Sequence, residues 1–217
     1  MNHAIILQNT IEFVKKTLHN AEGGHDWFHV HRVFLNAQEL AKETPVDGFI
    51  VALGALLHDI ADSKFYNGDE TVGPAKARTF LETQGLPEDS ITHVVHIIKH
   101  ISYKGGNFAQ SFHSPELDIV QDADRLDAIG AIGIARCFHY GGFKDREIYN
   151  PSIAPDLHMS KEAYKKSTAP TINHFYEKLL LLKDRMNTAA GKKMAQKRHD
   201  FMEQYLQQFY QEWNGKC

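Results

Sequence analysis

A histidine and an aspartate stand side by side at the end of a long apolar run, IVALGALLHDI, as His58 and Asp59. An imidazole nitrogen and a carboxylate oxygen are both ligands of divalent metal ions. The same residue types recur upstream in HDWFHVHRV, which begins at His25, and downstream in DADRLD, which begins at Asp122. The three segments together predict a site in which two imidazoles and two carboxylates bind one divalent ion.

The segments that contain these side chains have apolar residues at the spacing typical of α-helices. Apolar residues recur at helical period along most of the chain, and the run before His58 is apolar nearly all round, which indicates a central helix. We predict helices over residues 5–18, 25–42, 49–60, 74–84 and 87–102, and two closing helices over 161–188 and 191–213. One or two more are predicted over 115–140, where Gly141 and Gly142 are expected to stop them. Residues 142–160 lack periodicity and are interpreted as a lid loop. No Pro/Gly/Ser-rich linker divides the chain, so the expected fold is an all-α single domain spanning residues 1–217.

The composition is typical of a globular protein and argues against nucleic-acid-binding, membrane-spanning and disulfide-rich secreted proteins. The chain has 217 residues, of which 42% are hydrophobic and 24% charged, with a net charge of −3. This charge gives no general attraction to nucleic acid or to anionic membranes, and no apolar run reaches the roughly 18 residues of a membrane span. The two cysteines do not make a disulfide framework, and the N-terminal segment lacks the basic start of a signal peptide. A cytoplasmic enzyme is therefore expected, with no nucleic-acid or membrane partner.

The three segments resemble the motif set of the HD-domain metal-dependent phosphohydrolases. The likeness is to small bacterial members that contain HDWxHxxRV, ALLHDIxDxK and DADRLDAIGAIGIAR, which read here HDWFHVHRV, ALLHDIADSK and DADRLDAIGAIGIAR. The resemblance extends over roughly residues 5–209 and implies an HD domain whose metal-site core spans about 25–130. Members of that group are associated with nucleotide hydrolysis, some of them with pyrophosphate release from nucleoside triphosphates.

The resemblance implies four metal ligands, namely His29, His58, Asp59 and Asp124. His29 precedes the Arg-Val pair of the first motif by three residues, and Asp124 is the second aspartate of DADRLD. On chemistry alone, Asp122 and Asp127 would compete with Asp124 for the last position.

Helix geometry limits how His58 and Asp59 can share an ion. Neighbouring helical residues diverge by about 100°, so both can face one ion only where the helix ends, and the apolar run does end at residues 60–62. The structural alternative is a C-terminal histidine that interacts with the helix dipole. Mixed nitrogen and oxygen ligands suit Mn²⁺, which is favoured, and also Mg²⁺, Co²⁺, Ni²⁺ or Fe²⁺, whereas the lack of thiolates argues against structural zinc. Two positions of a six-coordinate ion stay open for water or phosphate oxygen, which predicts metal-assisted hydrolysis.

Further residues would support the reaction. Asp62, three residues after Asp59, is the candidate to orient or deprotonate the attacking water, as HD hydrolases often carry an acidic residue there. Lys64 could contact a substrate phosphate. Arg32 could anchor a ligating carboxylate, and Asp127 could hold a second histidine or Arg125. The structural alternatives for Asp62 and Lys64 are an exposed carboxylate and a solvated lysine.

Substrate contacts are expected on the fifth predicted helix and near the C-terminus. His93, His96 and His100 share one helical face, and His96 and His100 could bind substrate phosphate or, alternatively, a second ion. Tyr103 could stack on a nucleotide base. Lys178 could reach substrate or be a solvated helix lysine.

These observations favour a metal-dependent nucleotide phosphohydrolase, with a nucleoside triphosphate pyrophosphohydrolase as the leading hypothesis. A nucleoside monophosphatase or a cyclic-nucleotide phosphodiesterase would use the same metal site and stays open. A regulatory nucleotide-binding module is the alternative that is not an enzyme, and the intact set of four ligands argues against it. A purely structural helical protein is disfavoured because buried polar groups are costly without a ligand or hydrogen bonds. A homodimer formed through the terminal helices is a further hypothesis.

Overall fold

The computed structural model describes residues 2–21, 24–61, 66, 69–101, 111–160, 163 and 167–216. These residues form helices and connecting turns, and no β-strand occurs among them, so the all-α prediction is confirmed. The α-helices are α1 (His3–Thr17), α2 (Trp27–Ala41), α3 (Gly48–Leu57), α4 (Val72–Thr83), α5 (Glu88–His100), α6 (Pro115–Asp127), α7 (Gly130–Phe143), α8 (Asn173–Glu177) and α9 (Ala189–Trp213), and a 3₁₀ helix spans Leu179–Arg185. The chain divides into two compact units, Met1–Asp124 and Arg125–Cys217.

Helix α3 is the centre of the first unit. It packs against α1, α2 and α5, and every residue from Ile50 to Leu57 is buried. Asp47 caps its start by accepting hydrogen bonds from the backbone N–H groups of Phe49 and Ile50. A Cβ added at Gly54 would lie 3.0 Å from Ile97 Cγ2, so the missing side chain lets α3 and α5 approach closely. The apolar run before His58 is therefore the buried central helix that the sequence predicts.

Helix α3 ends three residues earlier than expected. Its last helical residue is Leu57, and both His58 and Asp59 lie in the turn that follows. Helix α4 begins at Val72, slightly before the predicted start, and is followed by Gly85 with φ +69°, a conformation that favours glycine. The ends of these helices thus follow the capping and turn residues in the sequence.

The closing region of the second unit differs from its prediction. The expected continuous helix over 161–188 is wrong: its described part contains only the short helix α8 and the 3₁₀ helix. Pro170 lacks a backbone N–H and disfavours helical geometry at the residue before it. The next residues, Thr171 and Ile172, donate their N–H groups to the carbonyls of Glu147 and Ile148 instead of to a helix of their own. Helix α9 starts at Ala189 with Thr188 as its cap and ends at the predicted Trp213.

Two glycines expected to stop a helix have another role. Helix α7 continues through Gly141 and Gly142 to Phe143. A Cβ added at Gly141 would lie 2.2 Å from Thr171 Oγ1, so glycine allows Thr171 to approach the helix. The following segment is tied down by hydrogen bonds, among them Asn173 Nδ2 to the Ile153 carbonyl at 3.0 Å. Its role as a lid stays a prediction.

Candidate metal centre

The first predicted ligand, His29, lies in the first turn of α2. Asp26 caps this helix and accepts a hydrogen bond from the His29 backbone N–H at 2.8 Å. Since the cap fixes the first turn, it also fixes the direction in which the His29 side chain leaves the helix. His29 is only 2% exposed, which is unusual for a histidine without a partner and agrees with a ligand role.

The second and third predicted ligands lie together in the turn after α3. His58 Nδ1 is 2.8 Å from the Ala55 carbonyl, which can only accept, so Nδ1 carries the proton and donates it. The Nε2 atom of His58 then has a lone pair available for a metal, the arrangement found in ligating histidines. His58 is the C-cap of α3 and keeps helical backbone angles (φ −60°, ψ −31°), and Asp59 follows it in the turn.

The four predicted ligands converge in the structure. The Nε2 atoms of His29 and His58 are 3.3 Å apart, and Asp59 Oδ2 lies 3.8 Å from His29 Nε2. From helix α6, Asp124 Oδ1 lies 3.5 Å from His29 Nε2 and 3.9 Å from His58 Nε2. His29, His58 and Asp59 alone form a cluster whose ligand atoms all lie within 4.8 Å of one another.

These distances fit one divalent ion. With metal–ligand bonds of about 2.1 Å, adjacent ligands of an octahedron lie about 3.0 Å apart and opposite ones about 4.2 Å. The four measured distances, 3.3, 3.5, 3.8 and 3.9 Å, fall between these limits. Asp124 approaches both histidines but lies outside the group whose ligand atoms are all within 4.8 Å of one another, so it would have to move closer to Asp59 to share the ion. Two buried imidazoles whose nitrogens face each other, flanked by two carboxylates, are chemically suited to a cation. Among the residues of this site, His29, His58, Asp59 and Asp124 would hold it.

A fifth residue that sequence reasoning set aside also reaches the cluster. His25 Nδ1 lies 2.6 Å from Asp59 Oδ2, and its ring meets the His29 ring edge-on at 6.0 Å. Burial alone would raise the pKa of the Asp59 carboxyl, but the hydrogen bond with His25 and the nearby charges of His58, His25 and His29 outweigh it. The pKa of Asp59 is therefore lowered, and the carboxylate is anionic. The available signal was that His25 and His29 are four residues apart on one helical face.

The remaining predicted site residues of the first unit are placed as follows. Asp62, Lys64 and Tyr103 lie outside the described residues, so their roles stay predictions. Arg32 is half-buried on α2, one turn after His29. Its role as an anchor for a carboxylate also stays a prediction.

His96 and His100 lie on the same face of α5, where the Phe112 ring packs against them. The Phe112 ring stacks on His96 with centroids 4.8 Å apart and lies 5.6 Å from His100. The two nitrogens of His100 lie within hydrogen-bond distance of the His96 carbonyl and of Ser111 Oγ, at 2.8 and 3.0 Å. His96 Nδ1 is buried and has no hydrogen-bond partner among the described residues. Burial, with the charges of His100, Lys99 and His93, lowers the pKa of His96, so it is neutral near pH 7.

Two predicted residues belong to the second unit. Asp127 is buried and forms an ion pair with Arg136. Arg125 donates to the Arg185 carbonyl at 2.6 Å. Lys178 is exposed and lies between α8 and the 3₁₀ helix, where its φ of −144° interrupts helical geometry. The supporting role of Asp127 and the substrate role of Lys178 stay predictions.

Comparison with known proteins agrees with this fold. The HD domain family model matches residues 27–129. The uncharacterized protein YpgQ of Bacillus subtilis (strain 168) is 36% identical over 206 residues, covering 94% of this chain and 91% of YpgQ. The crystal structure of an HD-superfamily hydrolase from Bacillus thuringiensis is 43% identical, with a TM-score of 0.80 over 98% of this chain and 99% of that chain. The crystal structure of B. subtilis YpgQ in complex with ADP is 32% identical, with a TM-score of 0.76. The alignment covers 97% of this chain and 100% of the YpgQ chain.

The fold and the His-Asp cluster thus define a divalent-metal hydrolase. The chain belongs to the HD-domain superfamily of metal-dependent phosphohydrolases, and the family prediction is confirmed. The solved HD-superfamily hydrolase from B. thuringiensis aligns with nearly the whole of this chain. None of the helices in the described part of the chain has the length and hydrophobicity needed to cross a membrane.

Proposed function

We propose that this protein is a nucleoside triphosphate pyrophosphohydrolase that works with one divalent ion, Mn²⁺ being favoured. The observation that carries the proposal is the convergence of His29, His58, Asp59 and Asp124 at distances of 3.3–3.9 Å. The ADP bound in the crystal structure of YpgQ supports a nucleotide as the ligand of this chain too. In the reaction, water attacks the α-phosphorus, the bond from that phosphorus to the α,β-bridging oxygen breaks, and nucleoside monophosphate and pyrophosphate leave.

The residues of the site are proposed to have separate roles in this reaction. A divalent ion, when bound, supplies positive charge that polarises a phosphoryl oxygen and makes a nearby water more acidic. His58 keeps its Nε2 directed at the site because Nδ1 is held by the Ala55 carbonyl. Asp62 is proposed to orient the water and accept its proton, since a positioned carboxylate can act as a general base.

Substrate recognition is assigned to further residues that the sequence singles out. Lys64 and Lys178 are proposed to contact phosphate, and Tyr103 to stack on the base. His96 is proposed as a hydrogen-bonding partner of the substrate, because its buried Nδ1 has no partner among the described residues. His100 would contribute from the same face of α5. Because the net charge is −3, binding of an anionic nucleotide must depend on such local groups and on the ion.

The proposal extends to the setting in which the enzyme works. We expect a cytoplasmic protein that acts on free nucleotides, without nucleic-acid or membrane partners. The homodimer stays a hypothesis that light scattering of the purified protein can test.

The deciding experiment is product analysis on protein stripped of metal with a chelator. Mn²⁺, Mg²⁺, Co²⁺ or Ni²⁺ would be added back with nucleoside mono-, di- and triphosphates and cyclic nucleotides. Pyrophosphate from triphosphates is the expected product and places the attack at the α-phosphorus. Inorganic phosphate from monophosphates would make the protein a nucleotidase instead, and opening of cyclic nucleotides would make it a phosphodiesterase. Absence of turnover with every metal would favour the binding module.

Two matched variants connect that activity to the site. Asp124→Asn removes one proposed ligand charge and should reduce metal-dependent turnover at least about 100-fold. Glu39→Gln removes an exposed carboxylate on α2 that pairs with Lys42 at the surface, and it should leave turnover unchanged. Equal turnover in both variants would disconnect Asp124 from the reaction.

A further inference from the structure

His25 makes a short contact with Asp59, one of the proposed metal ligands. The proposed function assigns no role to this contact. Its Nδ1 atom lies 2.6 Å from Asp59 Oδ2, while its side chain remains 33% exposed. His25 directly precedes Asp26, the cap of α2, and it lies outside the segment 27–129 that matches the HD family model. The contact therefore joins a residue just before the matched segment to one inside it.

The direction of the hydrogen bond follows from the chemistry of the partners. An ionised carboxylate can only accept, so the His25 ring must donate from Nδ1 to Asp59. A 2.6 Å contact with an anion is in the range of strong, charge-assisted hydrogen bonds.

The distance also excludes the idea that His25 Nδ1 and Asp59 Oδ2 bind the same ion side by side. Adjacent ligands with bonds of about 2.1 Å lie about 3.0 Å apart. A separation of 2.6 Å is too short for two such ligands, but it fits a hydrogen bond. The 3.8 Å between Asp59 Oδ2 and His29 Nε2, by contrast, falls in the ligand range.

Asp59 needs such a restraint. It lies in the turn after α3, and the terminal torsion of an aspartate side chain has a broad, nearly two-fold energy profile. A donor on one oxygen selects one rotation of the carboxylate. His25 is itself positioned at the start of a capped helix and by edge-on contact with the His29 ring.

We propose that His25 is a positioning residue of the metal centre. Its Nδ1–H holds the Asp59 carboxylate in the orientation that faces His29 and His58, and thereby raises the affinity for the divalent ion. The inference rests on the metal site of the proposed function but not on the identity of the nucleotide.

The test is calorimetric titration of the metal-stripped protein with Mn²⁺, without substrate. His25→Ala removes the donor and should weaken binding roughly 10–100-fold, the usual effect of losing a partner that orients a ligand. His25→Asn keeps an amide N–H near the position of Nδ1 and should stay within about threefold of the unmodified protein. His31→Ala is the matched control, because His31 lies on the same helix and stacks on Trp27. Unfolding midpoints measured in chelator should confirm that each variant folds.

Three results would overturn the inference. Unchanged affinity in His25→Ala would show that Asp59 needs no restraint. Tighter binding in that variant would show that His25 competes with the ion for Asp59. Equal losses in His25→Ala and His25→Asn would show that the ring, not the donor, matters, as for a direct ligand.

The titration also separates this inference from the proposed function. If the unmodified protein binds Mn²⁺ but hydrolyses no nucleotide, the proposed reaction fails while the role of His25 remains testable by affinity. If the unmodified protein binds no divalent ion at all, the metal centre is refuted and the role of His25 with it.

Discussion

Replacement of His58 by alanine should remove most of the stabilisation of the protein by metal. The His58 side chain is 4% exposed, and its Nε2 lies 3.3 Å from His29 Nε2 and 3.9 Å from Asp124 Oδ1. In the unmodified protein, metal at 100 times its dissociation constant should add about 2.7 kcal/mol to the free energy of unfolding. For a chain of this size, each kcal/mol corresponds to about 2–4 °C in Tm, so the expected rise is about 5–11 °C.

The variant keeps three of the four ligands. If its dissociation constant rises 100-fold, the same metal concentration adds only about 0.4 kcal/mol, or about 1–2 °C. Without metal, loss of the 2.8 Å hydrogen bond to the Ala55 carbonyl and of a buried ring should lower the unfolding free energy by about 2 kcal/mol. The two effects are separable because only the first depends on metal.

The assay is thermal unfolding in chelator and in a series of Mn²⁺ concentrations. His139→Ala, which removes an exposed histidine of α7, is the control and should respond to metal like the unmodified protein. If His58→Ala gained the full rise in Tm, His58 would not be a ligand and the metal centre would need another fourth group. A metal effect lost equally in His139→Ala would point to non-specific binding by histidines.

The other predictions concern catalysis, acid stability and thiol chemistry. Asp62→Asn should lower turnover at least about 100-fold while Mn²⁺ binding by calorimetry stays unchanged; unaltered turnover would remove Asp62 from the reaction. Burial, together with the charges of Lys178 and Arg146, lowers the pKa of His174 to about 4. Unfolded imidazole titrates near 6.5, so the unfolded state takes up the proton first and stability falls as the pH drops from about 6.5 to 4. Between pH 7 and 5, denaturant unfolding of His174→Gln should show an acid loss smaller by about 1–2 kcal/mol, and an identical loss would contradict the buried environment. Burial also raises the pKa of Cys137 to about 12, so in Cys217→Ser the remaining thiol should react with a thiol reagent only after denaturation; rapid native labelling would contradict it.

The ligand-bearing turn was predictable because two independent constraints coincide there. The apolar run predicts a buried helix, and the 100° divergence of neighbouring residues requires that helix to end before His58 and Asp59 can share an ion. The structure ends α3 at Leu57, as this reasoning needs. The cap of α3 was also predictable, because aspartate is a preferred N-cap residue and Asp47 stands just before the apolar run.

What the sequence did not reveal depends on contacts between distant residues. The contact of His25 with Asp59 joins positions 34 residues apart, and no local pattern encodes it. The 161–188 segment was predicted as one helix and contains the apolar run 179–182. Thr171 and Ile172 donate hydrogen bonds to Glu147 and Ile148, which sequence periodicity cannot foresee. Gly141 was interpreted as a helix stop because the nearby Thr171 side chain, which requires the glycine, is invisible in sequence.

The burial of α3 from Ile50 to Leu57 has a consequence for how the ion enters and leaves. Eight consecutive buried residues immediately precede His58, so the amide protons of this helix should exchange with solvent only through global opening of the first unit. The donor groups are therefore preorganised, unlike those of small metal domains that fold around their ion. Loading should proceed with little change in heat capacity, and a chelator should empty the site without melting the helix. Which divalent ion occupies the site should therefore depend on the metals available in the surrounding solution, because the ion can exchange without unfolding of the protein.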